Sequence, residues 1–178
     1  HDIRKISNPD IFTENNEDSA DIHSQMEPEE STQLIRNHVT DGIALAKKYK
    51  IPQSVIDIIM QHHGNSVIRY FYEKASKEKK ELSKDTYRYP GPRPQTKEAA
   101  LVMLADIVES TTKAKNIENE AEVAKIIDDT IHYLLKEGQF DEAPISMKDL
   151  QTVKQCFIPV LTSIYRKRLD YPEPPKDE

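Results

Sequence analysis

The chain has 178 residues, a formal net charge of −6, 37% hydrophobic and 31% charged residues, four glycines, no tryptophan and one cysteine. That length suits a single domain, 1–178, able to bury roughly 70% of its unfolded surface. Scarce glycine disfavours a turn-rich β-sandwich or barrel, and the acidic balance disfavours a protein that coats nucleic-acid polymers. A lone Cys156 excludes a disulfide framework and fits a reducing compartment. No apolar run approaches the roughly 18 residues of a membrane span, and no signal-peptide pattern is legible. The chain opens on His1-Asp2 without an initiator Met, so the numbering is expected to begin inside a longer protein.

Residues 7–30 are polar, with Pro9, Pro28 and the acids Glu27, Glu29 and Glu30, and read as an irregular connection. From Ser31 to Lys48, the spacing of Leu34, Ile35, Val39, Ile43, Leu45 and Ala46 predicts a helix, broken at Ile51-Pro52. A second helix follows with Val55, Ile56, Ile59 and Met60 inward, and Gly64 as its C′ residue. Ser66 is expected to cap a third, carrying Val67, Tyr70, Phe71 and Ala75. Pro90, Pro92 and Pro94 make Tyr87–Pro94 a stiff, non-helical loop. Thr96 or the residue before it starts a fourth helix through Ala99, Val102, Met103 and Val108. A fifth runs over Glu120–Lys136, with Val123, Ile126, Ile127, Ile131, Leu134 and Leu135 apolar, and stops at Gly138. Ser146 and Asp149 form a capping-box pattern for the last, which carries Leu150, Val153, Phe157, Leu161 and Ile164 and should kink at Pro159. Cys156 is expected in its core face, and 171–178 is a polar tail. No strand-length alternation occurs, so the fold class is all-α.

His38 falls on the apolar stripe of the first helix, and His62 and His63 follow Ile58, Ile59 and Met60 at helical spacing. Asp106 follows Val102 and Met103, which puts a carboxylate on an otherwise apolar face. A single inward histidine is ordinarily a hydrogen-bonded core residue, and a lone inward aspartate can pair with Lys or Arg. Taken together with His1 and Asp2, these residues would need several separate explanations. One divalent-metal cluster accounts for them jointly, because an unpaired buried charge costs several kcal/mol. Mixed imidazole and carboxylate ligation suits Fe, Mn, Zn or Ni, and the lack of further cysteine argues against a structural zinc site.

The ordered series His1-Asp2, His38, His62-His63 and Asp106 resembles the HD-domain metal-dependent phosphohydrolases, whose fold is a helical bundle. The surrounding words His1-Asp2-Ile3 with Lys5, Asn8-Pro9, Phe12-Thr13-Glu14-Asn15, His38-Val39-Thr40-Asp41-Gly42 and Gln61-His62-His63-Gly64 narrow the resemblance. So do Arg88-Tyr89-Pro90-Gly91-Pro92, Gln95-Thr96-Lys97-Glu98-Ala99-Ala100 and Met103-Leu104-Ala105-Asp106. They are similar to the cytoplasmic HD domain of the seven-transmembrane-receptor HD proteins, bacterial phosphodiesterases that act on cyclic di-AMP.

The resemblance implies two divalent ions, iron or manganese first, with zinc, nickel or magnesium as alternatives. Asp2 would bridge them, His1 and Asp106 would hold one, and His38, His62 and His63 the other. A hydroxide activated by the two metals would open cyclic di-AMP to the linear dinucleotide. Lys5 is expected at a phosphate or the leaving oxygen, Arg88 and Arg93 at phosphate or purine edges, and Tyr87 or Tyr89 stacked on adenine. The family also takes a metal-binding histidine from a helix upstream of the HD pair, outside this sequence. The parent protein would be membrane-anchored through preceding segments, with this domain cytoplasmic and a homodimer as one assembly.

Two departures stand out. Arg4 occupies a position usually glycine in that branch, and Glu17–Met26 differs in wording. Two alternatives stay open. One is another HD hydrolase, acting on nucleotides or cyclic di-GMP, although Asn65-Ser66 follow Gly64 where the cyclic di-GMP branch carries Gly-Tyr-Pro. The other is a nucleotide-sensing domain without turnover, kept open by Arg4.

Overall fold

The structure, a computed structural model, describes residues 1–5, 23, 25–78, 81–115 and 117–165. The expected connection over 7–30 falls largely outside them, and so does the tail 171–178. Among the described residues the helices are α1 (Pro28–Lys48), α2 (Gln53–Gln61), α3 (Arg69–Glu78), α4 (Lys97–Lys113), α5 (Glu120–Lys136) and α6 (Met147–Tyr165). A short 3-10 turn spans Lys84–Tyr87, and extended pairing is limited to one antiparallel bridge between Val67 and Arg88.

Local chemistry sets the helix ends. Pro28 begins α1, where its missing N–H is no loss. Thr96 Oγ1 accepts the Ala99 N–H at 3.1 Å and starts α4. Asn119 Oδ1 accepts the Glu122 N–H at 3.1 Å and starts α5. At α6 the capping box is reciprocal: Ser146 Oγ accepts the Asp149 N–H at 3.1 Å, and Asp149 Oδ2 accepts the Ser146 N–H at 2.9 Å. α6 continues through Pro159 to Tyr165.

The C-terminus of α1 closes by a paired return of the chain, Ile51 N–H to Ala46 O at 2.9 Å and Lys50 N–H to Lys47 O at 3.1 Å. This motif needs a left-handed residue after the cap, and Lys50 supplies it at φ 55°. The same return ends α5, with Gln139 N–H to Leu134 O at 2.9 Å and Gly138 N–H to Leu135 O at 3.1 Å.

Three apolar clusters hold the helices together. The largest joins α4, α5 and α6 through Met103, Leu104, Val108, Val123, Ile127, Leu134, Leu150 and Leu161. The second packs Val67, Phe71, Ala75 and Tyr87 around α3 and the 3-10 turn. The third sets Ala46 of α1 on Ile56 and Ile59 of α2, with Ile3 packed against them. This last cluster anchors the chain start beside α1 and α2.

Several expectations need correction. α3 begins at Arg69, so Ser66 is not its cap; the Ser66 hydroxyl instead donates to the His63 carbonyl at 2.6 Å. α2 ends at Gln61, which puts His62 and His63 in the turn beyond the helix rather than on it. Cys156 is exposed, being about a quarter turn around α6 from Phe157. Tyr70 (70%), Ile164 (61%), Val55 and Leu135, expected inward, are also exposed.

A non-glycine residue in the left-handed region costs roughly 1–2 kcal/mol. Lys50→Gly is therefore expected to stabilise the domain, by up to about 1 kcal/mol after the greater chain entropy of glycine is subtracted. Urea unfolding of both proteins measures this, and a lower midpoint in the variant would contradict the α1 cap.

Candidate metal centre

Ile3, packed on α1 and α2, fixes Asp2, and the Lys5 N–H bonds back to the Asp2 carbonyl at 2.9 Å. Arg4 turns away from the centre and pairs its Nε with Asp41 Oδ2 of α1 at 3.1 Å. α1 contributes His38, the turn after α2 contributes His62 and His63, and α4 contributes Asp106. All six residues that the sequence singled out as ligands meet in one place.

His38 and His62 are almost fully buried, and each ring is oriented by a backbone carbonyl. His38 Nδ1 faces Ile35 O at 2.5 Å, and His62 Nδ1 faces Ile59 O at 2.8 Å. A carbonyl can only accept, so in the neutral rings the proton sits on Nδ1 and each Nε2 carries a lone pair. Those two Nε2 atoms are 3.2 Å apart. Asp2 Oδ1 lies 3.7 Å from the first and 3.6 Å from the second, and this buried oxygen has no hydrogen-bond partner. Three acceptors thus converge with no proton between them. A cation resolves that arrangement, so the residues fit a divalent metal.

Around this core, His1 Nε2 lies 3.1 Å from Asp2 Oδ2 and 3.2 Å from Asp106 Oδ1. His63 Nδ1 lies 3.7 Å from Asp106 Oδ2. Two sets have ligand atoms mutually within 4.8 Å: His38, His62 and His63, and His1, Asp2 and His62. His62 therefore stands at the junction of the two sets. Lys5 Nζ caps Asp2 Oδ2 at 2.9 Å from a largely buried side chain.

The charge states follow from these neighbours. Hydrogen bonds to Asp106 and then Asp2 push the His1 imidazole up to about 10. Burial pushes His38 down to about 4, against the pull of the Ile35 carbonyl. Burial, then the imidazoles of His62 and His38, hold His63 well below its ordinary value. Burial would raise Asp2, but its contacts with His1, His62 and the Lys5 ammonium outweigh it and hold the carboxyl below the usual range.

The expected substrate residues divide. Tyr89 stacks on His63 at 4.1 Å between centroids and 19° between planes, and meets His38 edge-on at 6.1 Å. Tyr87 is fully buried, and its hydroxyl donates to Glu29 Oε1 at 2.7 Å, so it cannot stack on a ligand. Arg88 bonds Asn65 O at 2.8 Å and Asp85 Oδ1 at 3.2 Å, and Arg93 pairs with Asp141 at 3.3 Å. Both guanidiniums brace the rim loop. Gly91 permits that loop's approach, since a Cβ there would come 2.0 Å from the Met60 carbonyl.

Sequence reasoning missed three polar residues that tie the site to the scaffold. Gln61 Oε1 accepts the Gln95 N–H at 2.8 Å and joins α2 to the start of α4. Asn65 and Gln139 are bonded to each other at 2.8 Å. Gln61 stood within a quoted motif, but Gln139 carried no local signal.

A model of the HD domain family matches residues 1–131. The chain belongs to the HD domain family, whose members bind divalent metals. Within it, the chain is 35% identical over 176 residues to the cyclic-di-AMP phosphodiesterase PgpH of Bacillus subtilis (strain 168), covering 99% of this chain and 25% of that protein. It is 36% identical over 173 residues to PgpH of Listeria monocytogenes (serotype 1/2a, strain 10403S), covering 97% of this chain and 24% of the other. The chain thus spans about a quarter of the length of these relatives. The crystal structure of the L. monocytogenes phosphodiesterase PgpH HD domain in complex with cyclic-di-AMP matches with a TM-score of 0.87 at 36% identity, over 96% of this chain and 79% of that one. The all-α HD fold is thereby established. No helix among the described residues is long and apolar enough to cross a membrane.

Because His1 carries a proton below about pH 10, a metal that takes its Nε2 must displace that proton. His38 and His63, held neutral near pH 7, release none. Manganese binding is expected to release roughly one proton at neutral pH and to strengthen as pH rises. Calorimetry in buffers of different ionisation enthalpy reads the proton count, and a count of zero would contradict the His1 environment. Saturation at a hundredfold excess over Kd should add about 2.7 kcal/mol to unfolding stability.

Proposed function

We propose that this domain is a metal-dependent phosphodiesterase that opens cyclic di-AMP to the linear dinucleotide. The observation that carries the reading is the convergence of Asp2 Oδ1 and the lone pairs of His38 and His62 in a buried site. Its support is the likeness to PgpH, whose HD domain has been crystallised with cyclic-di-AMP. In this reading there are two metals, with iron or manganese preferred by the mixed imidazole and carboxylate donors. Asp2 would serve both, His1 and Asp106 would hold one, and His38, His62 and His63 the other. Such ions supply a nucleophile derived from water at neutral pH and offset the charge on the phosphoryl oxygens.

The chain's own residues do the rest. Hydrolysis adds the elements of water across one P–O3′ bond, leaving a 5′-phosphate and a free 3′ hydroxyl. Lys5 offers ammonium hydrogens to a non-bridging oxygen or to the departing 3′ oxygen as its charge develops. The carbonyls of Ile35 and Ile59 hold the His38 and His62 rings in the tautomer that leaves Nε2 open. Tyr89, already against His63, is the ring that adenine would meet, with Arg88 and Arg93 on the rim.

A cytoplasmic position beneath a membrane-anchored remainder, and pairing as a homodimer, belong to the same reading and rest on the family resemblance. Arg4 keeps a non-catalytic alternative open, and the pairing of Arg4 Nε with Asp41 Oδ2 supports the catalytic reading over it.

With manganese or ferrous iron, His62→Ala and Asp106→Ala are each expected to lower turnover of cyclic di-AMP by at least a hundredfold. Chromatography of the nucleotides measures it. Metal-loaded wild-type protein that binds cyclic di-AMP without cleaving it would overturn the enzymatic reading.

A further inference from the structure

We infer that Gln139 is a positioning residue for His63, acting through the Gly64-Asn65 turn; this rests on the metal-centre reading above. Gln139 follows α5 and is fully buried. Its backbone is fixed by the Leu134 carbonyl at 2.9 Å, at the end of a helix seated in the largest apolar cluster. Its Nε2 donates to Asn65 Oδ1 at 2.8 Å, across 74 residues of sequence.

The other end of the same carboxamide makes the contact specific. Gln139 Oε1 is buried without a hydrogen-bond partner, and a Cβ on residue 64 would come within 2.3 Å of it. Gly64, at φ +53°, is therefore what lets the carboxamide press against this backbone. Asn65 is gripped from the opposite direction as well, because Arg88 Nη1 donates to its carbonyl at 2.8 Å. The turn following the two histidines is thus clamped between the α5 end and the rim loop.

His63 is the ligand that needs such a clamp. The rings of His38 and His62 are each oriented by a backbone carbonyl. Among the described residues, the His63 ring has no carbonyl partner; it rests on Tyr89 and faces Asp106 at 3.7 Å. Its own carbonyl accepts the Ser66 N–H at 3.1 Å and the Ser66 hydroxyl at 2.6 Å, so its orientation follows the backbone of 63–66. Gln139 sets that backbone from one side.

The experiment compares manganese affinity, the visible spectrum of the cobalt-substituted protein and the melting temperature in four variants. Gln139→Met keeps the bulk and deletes the donor, Asn65→Ala deletes the acceptor, and a third variant combines the two. Ile127→Val, in the apolar cluster of α5, reports the effect of lost stability alone. Gln139→Met and Asn65→Ala are each expected to weaken manganese binding about tenfold or more and to alter the cobalt spectrum. The double variant is expected to lose no more than either single one. Ile127→Val is expected to melt earlier while binding manganese as the wild type does. If Gln139→Met does not fold, Asn65→Ala alone decides by the same tenfold loss. Wild-type affinity and spectrum in the single variants, or additive losses in the double, would overturn the role of Gln139. A wild-type domain that binds no manganese would instead overturn the metal-centre reading, and this inference with it.

Discussion

Asp2 Oδ1 is buried with the Nε2 atoms of His38 and His62 as its polar neighbours, and all three atoms are acceptors. In a low-dielectric interior such a cluster repels itself unless a cation sits among its members. The rest of the site serves that requirement. The Ile35 and Ile59 carbonyls keep protons on the far side of each ring. Lys5 and the protonated His1 balance the outer oxygen of Asp2. A site that brings its own neutral imidazoles needs to shed few protons when a metal arrives.

The helices divide the labour of holding this arrangement. α1 and the turn after α2 supply His38, His62 and His63, and the two helices with Ile3 form the seat for Asp2. α4 carries Asp106 on a helix whose opposite side is locked into α5 and α6. That three-helix cluster reaches the site a second time through the turn after α5, where Gln139 meets Asn65 and Asp141 meets Arg93. Rigid scaffold and ligand-bearing turns are thus bonded by polar side chains rather than by the apolar core. This arrangement matches the need of a metal site for oriented ligands.

Much of the fold was legible because helices announce themselves locally. Ser146 with Asp149, Thr96, and Gly138 marked ends that the backbone then used. The converging cluster was legible because a carboxylate at Asp106 on an apolar face has few structural excuses. Ser66 and Tyr70 misled for one reason: the four residues after Gly64 form a turn and a bridge before α3 begins at Arg69. The sequence suggested Arg88 and Arg93 for phosphate or purine edges but does not reveal that Asp85, Asn65 and Asp141 stand within their reach.

The sequence by itself determined the all-α class, the order of the helices and the set of imidazoles and carboxylates that converge at one place. Those depend on periodicity, caps and chemistry carried by short stretches of chain. Only the tertiary structure decided which nitrogen of each histidine faces the site, that Tyr89 rather than Tyr87 lies against it, and that Gln139 reaches Asn65 across 74 residues. Ring tautomers, stacking partners and long-range amide bonds depend on where separate segments meet, and close packing of the three clusters fixes those meetings.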